Sequence, residues 1–186
     1  MADSAALLAD IAAEFPGFRV VRKRDSPLSV AIDRALRALT LGRQRSYLTE
    51  YHTVIGRTLY LPDSWSTTPE IARVIVLRHE RVHLRQFRRF GLIGMGAIYL
   101  VPFFPVGLAW GRAWLEWEAY RETLAATAEL RGLEAVRCPA LRGEIVDRFA
   151  SGAYGWMWPF RRTVQRWYDD VIRELETRND DRSRRD

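Results

Sequence analysis

The chain has 186 residues, a length that suits one domain and is short for two. Hydrophobic residues make up 48% and charged residues 28% of it, which predicts a folded protein with a sizeable core and excludes a disordered chain. The single cysteine, Cys138, excludes an intramolecular disulfide framework and a four-cysteine zinc site. The first thirty residues lack the basic start and apolar run of a secretory signal, so we expect a cytoplasmic location.

The net charge of +6 comes from 29 basic and 23 acidic residues, which are interspersed along the chain. Lys23 is the only lysine, and all the other basic residues are arginines. Dispersed charge of this kind does not form the basic patch or stripe that is typical of nucleic-acid binding. Nucleic acid is therefore an unfavoured partner.

Apolar spacing and turn residues predict the elements of the first part of the chain. We expect a helix over 4–14, a strand over 18–21 and a second helix over 27–39. The stretch from Ser46 to Pro62 is rich in β-branched and aromatic residues and is interrupted at Gly56-Arg57. That pattern predicts a β-hairpin.

The rest of the chain reads as helical. A long helix is predicted to begin after Thr68, its N-cap, and to end at Gly91. A further helix is expected over about 112–130, and two more within 139–176. The last ten residues, 177–186, have no apolar side chains to pack, and we expect them to be disordered.

Two of the three histidines form the sequence His79-Glu80-Arg81-Val82-His83 on the long helix. Residues four apart lie on one helix face, so both imidazoles can reach a single tetrahedral Zn²⁺. Glu80 lies about 100° round the helix, close enough to accept a proton from a water molecule at the ion. Both histidines share the apolar face, whereas the arginines gather on the opposite face. The motif predicts a zinc site.

A third zinc ligand should be a carboxylate, because the chain has one cysteine and no further inward-facing histidine. The helix over 112–130 offers three nearby glutamates, Glu116, Glu118 and Glu122. A helical wheel places Glu116 on the packed face and the other two, with Glu129, on the most charged arc. Glu116 is therefore the predicted third ligand.

These residues resemble the gluzincin branch of the zincin-like metallopeptidases, in which HExxH is followed by a glutamate on a later helix. The segment Glu116-x-x-Ala119-Tyr120 is similar to the E-x-x-A-D segment of several such families. The predicted hairpin is similar to the zincin edge strand that binds extended peptide. The resemblance covers about residues 46–130. It implies an α+β, zincin-like fold, mostly helical with a small β-hairpin or sheet before the motif helix, as one domain over 1–176.

The resemblance also implies roles for the site residues. His79, His83 and Glu116 would hold zinc, and zinc-activated water would attack a peptide carbonyl with Glu80 as general base. Tyr120 stands where those families usually have an aspartate that orients a zinc-bound histidine. A backbone carbonyl or another carboxylate would have to hold that imidazole instead.

Four side chains are candidates for stabilising the oxyanion or for supporting the ligands: Tyr120, Tyr154, His52 and Arg121. The sequence does not choose among them. Ordinary alternatives are an exposed strand histidine for His52 and core packing for Tyr154.

The segment from Phe90 to Gly111 contains no charged residue and has the length of a membrane span. A single crossing would put His83 and Glu116 on opposite sides of the bilayer, which excludes a shared zinc ion. Pro102 and Pro105 favour a bent hairpin over a straight helix. Two structures stay open: a buried hairpin inserted between the ligand helices, and a segment that makes peripheral membrane contact.

The sequence therefore favours a zinc-dependent metallopeptidase that hydrolyses a peptide or protein substrate. The first alternative is a non-catalytic zincin-fold module that binds a protein partner or a membrane surface, for which Tyr120 is the main support. The second is a DNA-associated protease in which the arginine face of the motif helix follows phosphates.

Overall fold

A computed structural model of the protein describes residues 2–39, 41–42, 45–100, 109–151, 157–158 and 160–183. These residues are mostly helical and include a small three-stranded sheet, in agreement with the α+β class. The chain divides into two compact units, and the prediction of one domain over 1–176 stays untested. We call Met1–Met95 the N-terminal unit and Gly96–Asp186 the C-terminal unit.

The N-terminal unit contains the sheet, two short helices and most of the long motif helix. Its elements are α1 Ser4–Glu14, β1 Arg19–Arg22, α2 Pro27–Leu39, β2 Thr53–Ile55, β3 Thr58–Leu61 and α3 Glu70–Leu100, which continues five residues past Met95. Local capping explains the first two helices. The Asp3 side chain accepts hydrogen bonds from the backbone N–H groups of Ala5 and Ala6, and Ser26 accepts one from Ser29. Both helices have the bounds that the sequence predicted.

The sheet has the strand order β1-β3-β2, with β1 parallel to β3 and β2 antiparallel to it. The predicted hairpin is present, and its turn places Gly56 at φ 60°, a conformation that favours glycine. Its first strand begins at Thr53, not at Ser46. Residues 47–50 form turns instead, in which the backbone N–H groups of Thr49 and Glu50 both bind the carbonyl of Ser46.

Apolar side chains from α1, β3 and α3 form the core of the N-terminal unit. Ile11 and Leu59 are 1% exposed, and Leu77 is fully buried. Leu84, also in this core, lies two turns after Leu77 on α3. Because Leu77 and Leu84 bracket the HExxH motif, the core fixes the rotation of α3 about its axis and thus the direction of the motif side chains.

Helix α3 breaks at Gly91 and then resumes, whereas the sequence predicted that it would end there. Gly91 has φ 67° and ψ 176°, and the residues after it are helical to Leu100. Of the predicted apolar hairpin over 90–111, residues 90–100 belong to α3 and residues 110 and 111 begin the next helix, while residues 101–108 lie outside the described residues. No helix in the described part of the chain combines the length and the hydropathy needed to span a bilayer.

The C-terminal unit is built from helices around one core. Its helices after α3 are α4 Trp110–Arg131, α5 Leu133–Arg137, α6 Pro139–Ala150 and α7 Arg161–Ser183. The core contains the fully buried rings of Phe149 and Tyr168, and the Tyr168 hydroxyl donates to the carbonyl of Val136 at 2.7 Å. The short helix α5 was not predicted.

Helix α7 corrects the prediction for the end of the chain. Residues 177–183, expected to be disordered, continue the helix, and 184–186 lie outside the described residues. The physical reason is that adding a residue to an existing helix requires no new nucleation. A polar segment can therefore continue a helix whose earlier turns are packed against the core. Within this extension the Thr177 hydroxyl donates to the carbonyl of Arg173.

Candidate metal centre

The HExxH motif lies on α3 and is largely shielded from solvent. Glu80 is 6% and His83 7% exposed, and His79 is partly buried. Polar side chains at such positions need partners, because burial without them is unfavourable. The arrangement agrees with the prediction that both histidines lie on the inward face of the helix.

The two imidazole rings point their Nε2 atoms at each other. These atoms are 3.2 Å apart, and the rings meet edge to face, with centroids 4.9 Å apart. Two nitrogen ligands at about 2.0–2.1 Å from a tetrahedral zinc ion are separated by about 3.3 Å. The histidine pair therefore has the spacing of two zinc ligands.

Gln86 holds the other nitrogen of His83. Nδ1 of His83 lies 2.9 Å from Oε1 of Gln86, and Gln86 is 3% exposed. Since an amide oxygen only accepts, Nδ1 is the donor of this bond, and Nε2 is the nitrogen that faces His79. The sequence predicted a backbone carbonyl or a carboxylate in this place, and Gln86 was missed. The signal was available, because Gln86 lies three residues after His83 on the same helix face.

Glu116 lies on α4 and is half-buried, whereas Glu118 and Glu129 are exposed, as the helical wheel predicted. Glu122, which was predicted on the same charged arc, is half-buried instead. In the C-terminal unit the hydroxyl of Tyr99 donates to Oε1 of Glu116. The carboxylate has two oxygens, and the bond from Tyr99 engages one of them. Tyr99 was not identified from the sequence, because its distance along the chain from Glu116 gives no periodic signal.

The predicted ligands come from both units, since His79 and His83 lie in the N-terminal unit and Glu116 lies in the C-terminal unit. Two imidazole nitrogens and a carboxylate oxygen are the donor set of many catalytic zinc sites. The combination of Glu116 with the two histidines stays a prediction.

The four candidates for oxyanion or supporting roles have different surroundings. His52 packs edge-on against Trp65, with ring centroids 5.4 Å apart. Tyr120 is buried against Phe149, and burial raises the pKa of its hydroxyl, which stays protonated. Arg121 forms an exposed ion pair with Glu174 at 2.6 Å. Tyr154 lies outside the described residues.

One carboxylate at the end of α1 forms ion pairs with arginines on the outer face of the motif helix. Glu14 lies 2.5 Å from Arg81, 2.9 Å from Arg85 and 3.9 Å from Arg88. Hydrogen bonding from Arg85, followed by that from Arg81, lowers the pKa of Glu14, although partial burial opposes the shift. The cluster joins the end of α1 to the outer face of α3.

Comparisons with known protein families, with curated proteins and with solved structures found no match to this chain.

Proposed function

We propose that the protein is a zinc-dependent metallopeptidase of the zincin type, with His79, His83 and Glu116 as zinc ligands. The observation that carries this proposal is the pair of Nε2 atoms 3.2 Å apart, together with the bond from His83 Nδ1 to Gln86. Nitrogen ligands on successive turns and a carboxylate suit zinc better than calcium or magnesium, which prefer oxygen.

The ion, when bound, would supply a Lewis acid that lowers the pKa of a water molecule and polarises the substrate carbonyl. Glu80 would accept a proton from the attacking water and pass it to the leaving amine. Its neighbouring position in the motif and its burial favour this role, because a carboxylate in a low-dielectric site acts strongly on nearby charge.

The sheet supports the proposed substrate class. Strand β2, Thr53–Ile55, is an outer strand of the three-stranded sheet and precedes the motif helix. An outer strand can accept an extended peptide through main-chain hydrogen bonds. A peptide or unfolded protein segment is therefore the proposed substrate.

Metal analysis and one activity variant test the proposal. Purified wild-type protein should contain about one equivalent of zinc, and His83→Ala should lose most of it. His52→Ala is the matched control, because it removes the histidine that is not a proposed ligand. Glu80→Gln should keep the zinc and reduce hydrolysis of a peptide library by about 10²–10⁴-fold.

Two results would contradict the proposal. Wild-type protein without zinc, and with no affinity for it, would mean that the histidines only hydrogen-bond to each other. A Glu80→Gln variant as active as wild type would assign the hydrolysis to other residues or to a contaminant.

A second proposal, membrane-surface contact, is favoured by one patch of the N-terminal unit. Ile93 is 88% and Leu92 63% exposed, and Arg88 and Arg89 precede them on α3. Exposed apolar residues beside arginines suit a surface of anionic lipid. Leu92→Asp combined with Ile93→Asp should abolish sedimentation with vesicles that contain phosphatidylserine. Wild-type protein that stays in the supernatant with these vesicles would contradict this role.

A further inference from the structure

A cavity of about 370 Å³ lies on the N-terminal unit. It is bordered by the end of α1, by the turn between β2 and β3, and by residues of α3 from Leu84 to Leu92. The described residues that line it do not include His79, Glu80 or His83. Its volume falls within the range of cavities that hold small organic molecules. The cavity is therefore a candidate binding site that the proposed peptidase does not use.

Apolar side chains form one part of the cavity wall. Phe15 and Leu84 belong to the core of the unit, and Phe87 packs against the same core but is only half-buried. Leu92, also in the wall, is 63% exposed. Ile93, the next residue, is exposed as well, so that apolar surface continues from the cavity along the chain. A hydrocarbon group that covers these side chains removes apolar surface from water, which is favourable.

The backbone borders the cavity at two glycines, Gly56 in the hairpin turn and Gly91 at the break in α3. Their φ angles are 60° and 67°, a region that favours glycine. A Cβ added at either position would meet no atom within 4 Å. The wall therefore carries no side chain at these two places, which leaves room for a ligand to approach the backbone.

Two exposed arginines, Arg57 and Arg88, line the cavity from different elements. One N–H group of Arg57 donates to the carbonyl of Pro16 at 2.9 Å. The guanidinium group of Arg88 lies 5.0 Å from the centre of the Phe15 ring, a cation–π contact. These contacts hold both guanidinium groups beside the cavity and use few of the five N–H donors that each of them has.

The carboxylate that lines the cavity, Glu14, is shared among several arginines. It lies 2.5 Å from Arg81 and 2.9 Å from Arg85, but 3.9 Å from Arg88. One negative charge thus faces three arginines of α3, and Arg57 adds a fourth positive charge at the cavity. The excess of positive charge is complementary to an anionic ligand.

We propose that this cavity binds a fatty acid, a single alkyl chain that ends in a carboxylate. Arg57 and Arg88 bind the carboxylate, because a guanidinium group matches a carboxylate in both geometry and charge. The alkyl chain lies against the apolar part of the wall. A linear chain suits the site better than a compact ring, because apolar surface continues past the cavity through Leu92 to Ile93. The inference goes beyond the proposed peptidase and uses none of its catalytic or metal-binding residues.

Calorimetric titration of the full-length wild-type protein with decanoate, below the concentration at which it forms micelles, tests the proposal. We expect saturable binding of one decanoate per chain. Across hexanoate, octanoate and decanoate the affinity should rise, by up to about fourfold for each added methylene group, because each one buries more apolar surface. Decanol has the same chain without the charge and should bind at least about tenfold more weakly than decanoate.

Variants of exposed arginines locate the carboxylate. Arg57→Gln combined with Arg88→Gln should reduce the affinity for decanoate by about tenfold or more, because charge-assisted hydrogen bonds are lost. Arg89→Gln is the matched control, since it removes the same charge from the residue next to Arg88, which does not line the cavity. It should bind decanoate as wild type does. Circular dichroism checks that each variant is folded.

Three results would overturn the proposal. The first is wild-type protein that shows no saturable binding of decanoate. The second is equal affinity for decanol and decanoate, which would make the contact purely apolar. The third is equal affinity of wild type and the double arginine variant, which would place the binding elsewhere. These measurements need neither zinc nor a peptide substrate nor vesicles, so their failure is distinct from a failure of the functions proposed above.

Discussion

His83 Nδ1 and Gln86 Oε1 lie 2.9 Å apart within a single turn of α3. This contact fixes the tautomer of the histidine from inside its own helix. The tyrosine at position 120, where related motifs have an aspartate, therefore does not leave His83 without an orienting group.

The first prediction concerns this bond. Gln86→Leu removes the acceptor but fills a similar volume, and we expect zinc affinity to fall by about 10–100-fold. Competition with a chromophoric chelator measures the affinity. Gln86→Glu, which keeps an acceptor for Nδ1, should stay closer to wild type. Equal affinities in wild type and Gln86→Leu would show that the bond does not support a ligand.

The second prediction separates the glutamates of α4. Glu116→Gln removes the anionic ligand and should lower zinc affinity by more than about tenfold. Glu118→Gln, two residues away and exposed, is the matched control and should bind zinc as wild type does. If the two variants bind zinc equally well, Glu116 is not a ligand.

The third prediction concerns the break in α3. Gly91→Ala forces a side chain into a φ of 67°, and we expect the free energy of unfolding to fall by about 1–3 kcal/mol. No atom lies within 4 Å of the added Cβ, so the cost comes from the backbone alone. Gly96→Ala, also in α3 with an open Cβ position, should be neutral or stabilising by about 0.5–1 kcal/mol. Urea denaturation of both variants measures the difference, and equal stabilities would contradict the prediction.

The fourth prediction is a pH dependence of stability. Lys23 is completely buried, and this burial lowers its pKa to about 7 in the folded protein, against about 10.5 in an unfolded chain. Between these values the unfolded state binds more protons, so the free energy of unfolding should rise with pH, by at most about 1.4 kcal/mol per pH unit. A raised tyrosine pKa, such as that of Tyr168 at about 12, affects stability only above the ordinary tyrosine value of 10.

Urea denaturation from pH 7.5 to 9.5 checks this dependence. Lys23→Met is the control, because it lacks the titrating group and should show a flatter profile. A wild-type stability that falls across this range, or parallel profiles for the two proteins, would contradict the assignment.

Local signals in the sequence predicted the bounds of the first two helices and the inward face of the motif histidines. Asp3 and Ser26 cap their helices through contacts two or three residues away, so the bounds of α1 and α2 could be read directly. Glu116 was separated from Glu118 by helical periodicity alone, and their different exposure confirms that separation. The zincin fold and the peptidase activity stay predictions.

The features that were missed depend on contacts between distant parts of the chain. Lys23 and Tyr47 are 24 residues apart, and no local rule predicts that a loop carbonyl will receive a buried ammonium group. The same contact explains why the hairpin does not begin at Ser46, because Tyr47 lies in a turn over Lys23. The helical residues 177–183 were missed for a different reason, since polar composition was taken to indicate disorder.

The burial of Lys23 also gives the folded protein an unusual chemical property. A protease that cuts only after lysine has a single cleavage site in this chain, after Lys23. The side chain that the protease must bind is buried in the folded protein. Cleavage therefore requires the 3₁₀ turn Lys23–Asp25, directly after β1, to open, and the rate of cutting reports how often it does so. One enzyme and a gel would thus measure the local opening of this turn, without a label or a mutation.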